Sequence, residues 1–125
     1  KDIERIKDTR DEDLQRDSNF WNARLLQKGE LLVAEKKYME ALDVFNSVDP
    51  EFSGLEKAIN GVKRKLNRLA EMHYKEGVKH FIEDNLDSAI AEWKITLRFN
   101  PEHKKAMNYS VKAQQLLKKY EKLKQ

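Results

Sequence analysis

Four residues near the middle of the chain have the types and the spacing of a metal site. His73, Glu76, His80 and Glu83 follow one another at intervals of three, four and three residues. A helix would place all four near one face, where imidazole nitrogens and carboxylate oxygens could hold a cation. The competing interpretation is that both imidazoles are half-buried packing groups and that both carboxylates are solvated.

Composition excludes most other site chemistry. The 125 residues include three His, four Gly, two Pro and no Cys, which excludes a thiolate nucleophile, a disulfide and a zinc–thiolate site. The sequence contains no Ser–His–Asp arrangement and no Gly-rich phosphate loop. We therefore predict that the chain is not an enzyme and that it binds no cofactor.

Charge is abundant and unevenly distributed. Charged residues make up 38% of the chain and its net charge is +3, yet residues 104–125 alone carry seven Lys and one Glu. This basic end is either a solvated helix face that complements the helix dipole or a contact surface for an acidic partner or a phosphate group. Nucleic acid is disfavoured as a partner, because only Tyr109 and Tyr120 offer stacking rings near these lysines.

The pattern of apolar residues predicts an all-α chain of about five helices. High charge, few turn residues and apolar positions three and four apart favour long helices over strands. Residues 1–18 are polar and predict only a marginal helix, whereas residues 19–125 are expected to form a single domain. The predicted helices of that domain cover about 19–35, 38–48, 53–83 and 87–98, and the segment from Pro101 to the C-terminus.

Short local signals predict where these helices begin and break. Asp17 or Ser18 is expected to cap the first helix of the domain, and Ser53 with Glu56 forms a capping box for the third. No Pro interrupts the third helix, although Gly61 weakens it and could break it. No apolar stretch approaches the roughly 18 residues of a membrane-spanning helix, so we predict no transmembrane segment.

Two segments of the chain align with each other without a gap. Residues 25–45, LLQKGELLVAEKKYMEALDVF, align with residues 73–93, HYKEGVKHFIEDNLDSAIAEW. The constant shift between them, about 48 residues, is the repeat offset. The matched pairs are Gly29 with Gly77, Tyr38 with Leu86, Ala41 with Ala89, and Phe45 with Trp93. In a helical hairpin, Gly on the first helix lets the second approach, a small Ala completes the contact, and an aromatic ring fills the space beside it. The sequence therefore predicts one helical hairpin used twice.

These segments resemble the tetratricopeptide repeat family. Residues 70–103 match a full unit of this family, which is about 34 residues long, and residues 22–50 match a shorter one. The signature positions of the full unit are occupied by Gly77, Ala89, Trp93 and Pro101. Residues 104–125 are similar to the helix that shields the last repeat of such arrays from solvent. The resemblance implies a helical solenoid fragment of bacterial type, with two repeats and a capping helix.

The spacing of the two units departs from the family pattern. From Gly29 to Gly77 the offset is about 48 residues, whereas tandem repeats of this family follow one another about every 34 residues. The extra residues amount to nearly four helical turns, so a longer helix absorbs them with little change of phase. We predict a linking helix at about 53–69 that continues into the second repeat.

The resemblance also implies roles for two residues outside the signature. His73 and His80 fall where the family packs aromatic residues against the partner helix, which favours packing over the metal site. We therefore predict that the chain binds no metal. Trp21 stands just before the first repeat and could be an exposed anchor, but such a residue more often packs the N-terminal segment onto the bundle, which is what we expect here.

In this family, the first helix of each hairpin lines a concave groove that binds partners. By resemblance, that groove is lined here by residues of both hairpins and of the capping helix. They are Leu26, Glu30, Val33, Glu71, Tyr74, Val78, Phe81, Ile82, Asn108, Lys112 and Gln115. Such a surface suits an extended apolar peptide or an amphipathic helix. The alternative is that the last helix or a neighbouring segment covers these residues as core.

Three hypotheses for function follow. The resemblance implies a non-catalytic scaffold that binds a peptide or helix of a partner protein, as a module of a larger bacterial assembly of the kind found in the cell envelope. An alternative is a structural or self-associating element, in which the apolar stripe of helix 53–83 forms a homodimer seam. A third is recruitment to an acidic or phosphate surface by the C-terminal lysines. Because the chain begins with Lys1 rather than Met, we expect it to belong to a larger protein.

Overall fold

Five α-helices form the computed structural model of the chain. It describes the backbone of residues 2–124 and the side chains of residues 10–124, and these residues contain no strand. The helices are α1 (Asp2–Ala34), α2 (Tyr38–Phe45), α3 (Leu55–Ile82), α4 (Leu86–Phe99) and α5 (Lys104–Lys124). The predicted all-α class is confirmed. None of these helices combines the length and the hydropathy that crossing a membrane requires.

α1 differs most from its predicted bounds. The sequence predicts a new helix after Asp17 or Ser18, but one helix runs from Asp2 to Ala34 and contains both residues. The predicted cap is therefore wrong. No Gly or Pro interrupts residues 2–28, and the helix-favouring Glu, Arg, Lys, Gln and Leu recur along this stretch, so local propensity favours one continuous helix. The side chains of Ile3 and Ile6, the first apolar residues of the predicted marginal helix, lie outside the described part.

Two boundaries around the loop from α2 to α3 also differ from prediction. α2 ends at Phe45 rather than at residue 48, because the N–H groups of Ser47 and Val48 bond to carbonyls three residues back. α3 begins at Leu55 rather than after Ser53, since Gly54 lies before it with a φ of +88° and accepts the first helical bond from Ala58 at 3.1 Å. The capping role predicted for Ser53 is wrong. From Leu55, α3 passes through Gly61 without a break.

The same backbone turn joins α1 to α2 and α3 to α4. Lys36 and Asp84 both adopt a left-handed conformation, with φ values of 63° and 64°. At each turn, the next N–H donates a 2.9 Å hydrogen bond to the carbonyl five residues back, as in a Schellman cap. These bonds run from Lys37 to Leu32 and from Asn85 to His80. All of these positions are related by the repeat offset.

Contacts divide the chain into two compact units. The first comprises Lys1–Lys63 and the second Arg64–Gln125. The division falls inside α3, within the predicted linking helix at 53–69.

The first unit is built on the contact between α1 and α2. Ala41 and Phe45 on α2 are completely buried. A Cβ atom at Gly29 on α1 would lie 2.6 Å from Cδ1 and 2.8 Å from Cζ of the Phe45 ring. The ring therefore occupies the space that any other residue would need for its side chain. Tyr38, at the start of α2, is half-buried.

Trp21 does not pack onto the bundle, so the expectation for this residue is wrong. Its side chain is 62% exposed, and every described residue of α1 before Asn22 is exposed. α2 is only eight residues long, about 12 Å, and cannot reach that far back along α1. The chain after α2 reaches Asn22, whose Oδ1 accepts a 3.1 Å hydrogen bond from the Asp49 N–H.

The second unit joins α4 and α5 to the C-terminal half of α3. Its buried core consists of Leu86, Ala89, Ile90, Trp93, Ala106 and Ala113. Tyr74, Val78 and Phe81 of α3 are half-buried and pack against that core. Pro101 lies in the exposed connection between α4 and α5.

Candidate partner-binding groove

The indole of Trp93 stands at the centre of the second unit. It is completely buried and lies against Gly77, where a Cβ atom would stand 2.6 Å from Cδ1 and 2.8 Å from Cε2 of the ring. Because Gly77 has no side chain, the indole reaches the α3 backbone and its Nε1–H donates to the Tyr74 carbonyl at 3.2 Å. The ring stacks on Tyr109 of α5, with centroids 5.7 Å apart, and packs on Phe81 of α3 at 5.8 Å. Trp93 thereby fixes the side chains of both helices that border the groove.

A groove of about 500 Å³ lies beside this cluster, between α3 and α5. Its two apolar lining residues are Phe81 of α3 and Leu116 of α5. Both are half-buried and pack against the core of the unit while lining the groove. Gln115, which is exposed, contributes an amide group to the lining.

Lysines form the rest of the lining. Lys112, Lys118, Lys119 and Lys122 are all exposed, and none of the acidic residues described by the structure lines the groove. The ammonium group of Lys112 lies 5.4 Å from the centroid of the Tyr109 ring, a cation–π arrangement. The groove therefore presents an apolar strip among four positive charges.

Tyr74 lies between two aromatic side chains. Its ring centroid is 4.7 Å from that of His103 and 6.4 Å from that of Tyr109. Nδ1 of His103 accepts a 3.1 Å hydrogen bond from the backbone N–H of Ala106 in the first turn of α5. The other ring nitrogen, Nε2, then carries the hydrogen and donates to Oε2 of Glu71 at 3.1 Å. His103 thus caps α5 and contacts two predicted groove residues.

Burial raises the pKa of the Tyr74 hydroxyl, and the nearby Tyr109 and Glu71 raise it further. An unfolded chain therefore ionises this tyrosine at a lower pH than the folded chain does. The contribution of the neutral Tyr74 side chain to the free energy of unfolding is fully present below the usual tyrosine pKa of about 10. It is lost as pH rises through the higher pKa of the folded state.

We expect Tyr74→Phe to reduce the loss of stability at alkaline pH. The measurement is the free energy of unfolding by urea at about pH 8 and about pH 11, on either side of the usual tyrosine pKa. Tyr120→Phe, at an exposed position of α5, is the matched control and should keep the wild-type pH dependence. Equal alkaline losses in the wild type and Tyr74→Phe would contradict the prediction.

The candidate metal ligands do not gather around one point. Nδ1 of His73 lies 2.7 Å from Oε2 of Glu92 on α4, and Nδ1 of His80 is buried without a hydrogen-bond partner among the described residues. Both imidazoles are half-buried, while Glu76 and Glu83 are exposed. Residues 10–124 contain no group of three or more His, Asp or Glu side chains that could hold a metal ion.

The structure brings three of the predicted groove residues together, namely Phe81, Lys112 and Gln115. The other predicted residues of the second unit do not line this groove. Glu71 and Tyr74 meet at His103, Val78 packs against the core, Asn108 is exposed, and Ile82 is 78% exposed. In the first unit, Leu26 and Val33 are half-buried and Glu30 is exposed.

Sequence reasoning missed that the groove and the lysines belong to one site. Lys118, Lys119 and Lys122 line the same groove as Phe81, together with Leu116. A signal was present in the spacing, since positions three, four and seven apart on a helix share a face. His103 was also missed, because imidazole is not among the common N-capping groups.

Comparison with other proteins assigns no family to this chain. No protein-family model, no curated protein and no solved structure matches it.

Proposed function

We propose that the chain is a non-catalytic protein-interaction module that binds a peptide or a helix of a partner protein. The observation that carries this proposal is the groove between α3 and α5 of the second unit. Phe81 and Leu116 line it without being fully covered. Removing such apolar surface from water favours association, and concave apolar sites with a few polar groups are where ligands commonly bind.

We further propose that the two hairpins are tetratricopeptide-like repeat units, acting within a larger bacterial assembly. Two structural features that recur at the repeat offset support this proposal. One is the contact of Gly with an aromatic ring, made by Gly29 with Phe45 and by Gly77 with Trp93. The other is the left-handed turn at Lys36 and at Asp84.

The apolar stripe of α3 offers little to a homodimer seam. Leu55, Val62 and Leu66 are between 1% and 4% exposed within the single chain, and Ile59 and Leu69 are half-buried. A seam gains free energy only from apolar surface that is still open to water. The groove between α3 and α5 is therefore a better candidate for a binding surface than the apolar stripe of α3.

Two substitutions of neighbouring residues on α5 test the proposed site. Gln115→Trp places a large ring in the groove and should reduce capture of partner proteins, from an extract of the producing cells, by at least about tenfold, a loss of about 1.4 kcal/mol. Gln114→Trp, at an exposed position that does not line the groove, is the matched control. Both variants should unfold within about 0.5 kcal/mol of the wild type, because both positions are exposed. Partners that bind wild type and Gln115→Trp equally would place the binding site elsewhere.

A further inference from the structure

We infer that the groove between α3 and α5 selects an acidic amphipathic helix of another protein, an inference that rests on the proposed function. Four features of the groove support this inference. Its charges are all positive, its lysines form no ion pairs among the described residues, it has an apolar strip, and the helices beside it offer no free backbone hydrogen-bonding groups.

The charges around the groove are all positive. Lys112, Lys118, Lys119 and Lys122 line it, and the one acidic residue of α5, Glu121, lies elsewhere. Glu121 lines a separate depression together with Asp84, Asp87 and Lys124. α5 therefore keeps its carboxylate away from the groove, which leaves a positive potential there that favours a negatively charged partner.

These lysines are not neutralised by the part of the chain that the structure describes. Among the described residues, Lys118, Lys119 and Lys122 form no ion pair with Asp or Glu. Lys112 lies over the Tyr109 ring, which leaves its charge in place. Each ammonium group is thus available to pair with a carboxylate of a partner.

The apolar strip distinguishes a protein partner from a phosphate surface. Phosphate groups would engage the lysines but would leave Phe81 and Leu116 exposed to water. No other aromatic ring of residues 10–124 lines the groove, so successive nucleic-acid bases would find no stacking platform. A partner with apolar residues on one face and Asp or Glu beside them satisfies both parts of the lining.

The backbone N–H and C=O groups of the partner must also have hydrogen-bond partners when it is bound. The groove is bordered by helices, whose backbone hydrogen bonds are internal, and so offers no strand edge for an extended peptide. A helix arrives with its N–H and C=O groups already paired. From Lys112 to Lys122, α5 rises by about 15 Å, which a partner helix of about three turns would match.

The decisive experiment is selection of peptides of about 16 residues, long enough to form a helix, from a randomised display library on the full chain. We expect enriched sequences with net negative charge and with apolar residues at intervals of three and four. Their affinity, measured by fluorescence anisotropy, should fall about three- to a hundredfold when Lys118, Lys119 and Lys122 are all replaced by Gln. It should also weaken as salt rises.

The matched control replaces three exposed lysines that do not line the groove, Lys94, Lys104 and Lys105, by Gln. It changes the net charge equally and should keep wild-type affinity. Enriched peptides that lose binding in Gln115→Trp but are neutral or basic would overturn the acidic partner and leave the proposed function standing. Peptides unaffected by Gln115→Trp would overturn both.

Two further outcomes would also overturn the inference. One is binding to vesicles of phosphatidylcholine and phosphatidylserine that the triple Gln variant loses, without enrichment of any peptide, since the lysines would then recognise lipid phosphate. The other is self-association in sedimentation that the triple Gln variant abolishes, since a second copy of this chain would then occupy the groove.

Discussion

Trp93→Ala is expected to lower the free energy of unfolding by about 3–5 kcal/mol, the range for removing a large buried aromatic ring. The indole is completely buried and packs against residues of both other helices of the second unit, α3 and α5. The substitution leaves a cavity between Gly77 and Tyr109 and leaves the Tyr74 carbonyl without the indole donor. Urea unfolding followed by far-ultraviolet circular dichroism measures the loss.

Trp21→Ala is the matched control for Trp93→Ala. Trp21 is the only other tryptophan, and its side chain is 62% exposed. Trp21→Ala should change the free energy of unfolding by less than about 0.5 kcal/mol, as exposed substitutions usually do. Equal losses for the two variants would mean that residues around Trp21 are as well packed as those around Trp93, which would contradict the arrangement of α1.

The packing of Trp93 could be predicted from the sequence, because it depends on residues that one hairpin brings together. Gly77, Ala89 and Trp93 have sizes that fit one another only when the two helices are close, and the same combination recurs at Gly29, Ala41 and Phe45. Two occurrences at one offset make the pattern hard to explain by composition. In the structure the rings of Phe45 and Trp93 are both completely buried.

The N-terminal part of α1 could not be predicted in the same way. A residue such as Ser18 can cap a helix or lie inside one, and local sequence does not decide between the two when neither Gly nor Pro is near. Trp21 was expected to pack because it stands just before the first repeat. α2 ends at Phe45 and is too short to cover Trp21, and the neighbouring Phe20 ring, 5.5 Å away between centroids, still leaves it 62% exposed.

The groove itself lay beyond sequence reasoning for a geometric reason. Which residues of α5 face α3 depends on the angle and the rotation between the two helices. Those two quantities are set by the packing of Trp93 against Phe81 and Tyr109, not by any local pattern. Phe81 and Lys118 could therefore be named separately, as an apolar groove residue and a basic surface residue, without being assigned to one site.

Gly77→Ala should destabilise the chain by about 1–3 kcal/mol, although Ala is the better helix former. In an exposed helix interior, this substitution would stabilise by about 1 kcal/mol. Here the added methyl group would overlap the Trp93 indole, and overpacking of a filled core costs about 1–3 kcal/mol. Moving the ring away also weakens the hydrogen bond to the Tyr74 carbonyl, a further loss of about 1 kcal/mol. Urea unfolding measures the net change, and Glu76→Ala, at the exposed neighbouring position, is the control for introducing Ala into α3.

The sign of the effect should reverse when the ring is absent. In a Trp93→Ala background the methyl group meets open space, so Gly77→Ala should then stabilise by about 1 kcal/mol through helix propensity alone. Gly29→Ala should destabilise the first unit in the same way, but by less, because the Phe45 ring has no N–H and forms no hydrogen bond that could be lost. If Gly77→Ala stabilised the wild-type chain, the close approach of Trp93 to α3 would be contradicted. The packing of Trp93 against Phe81 and Tyr109 would then not explain how α3 and α5 are positioned beside the groove.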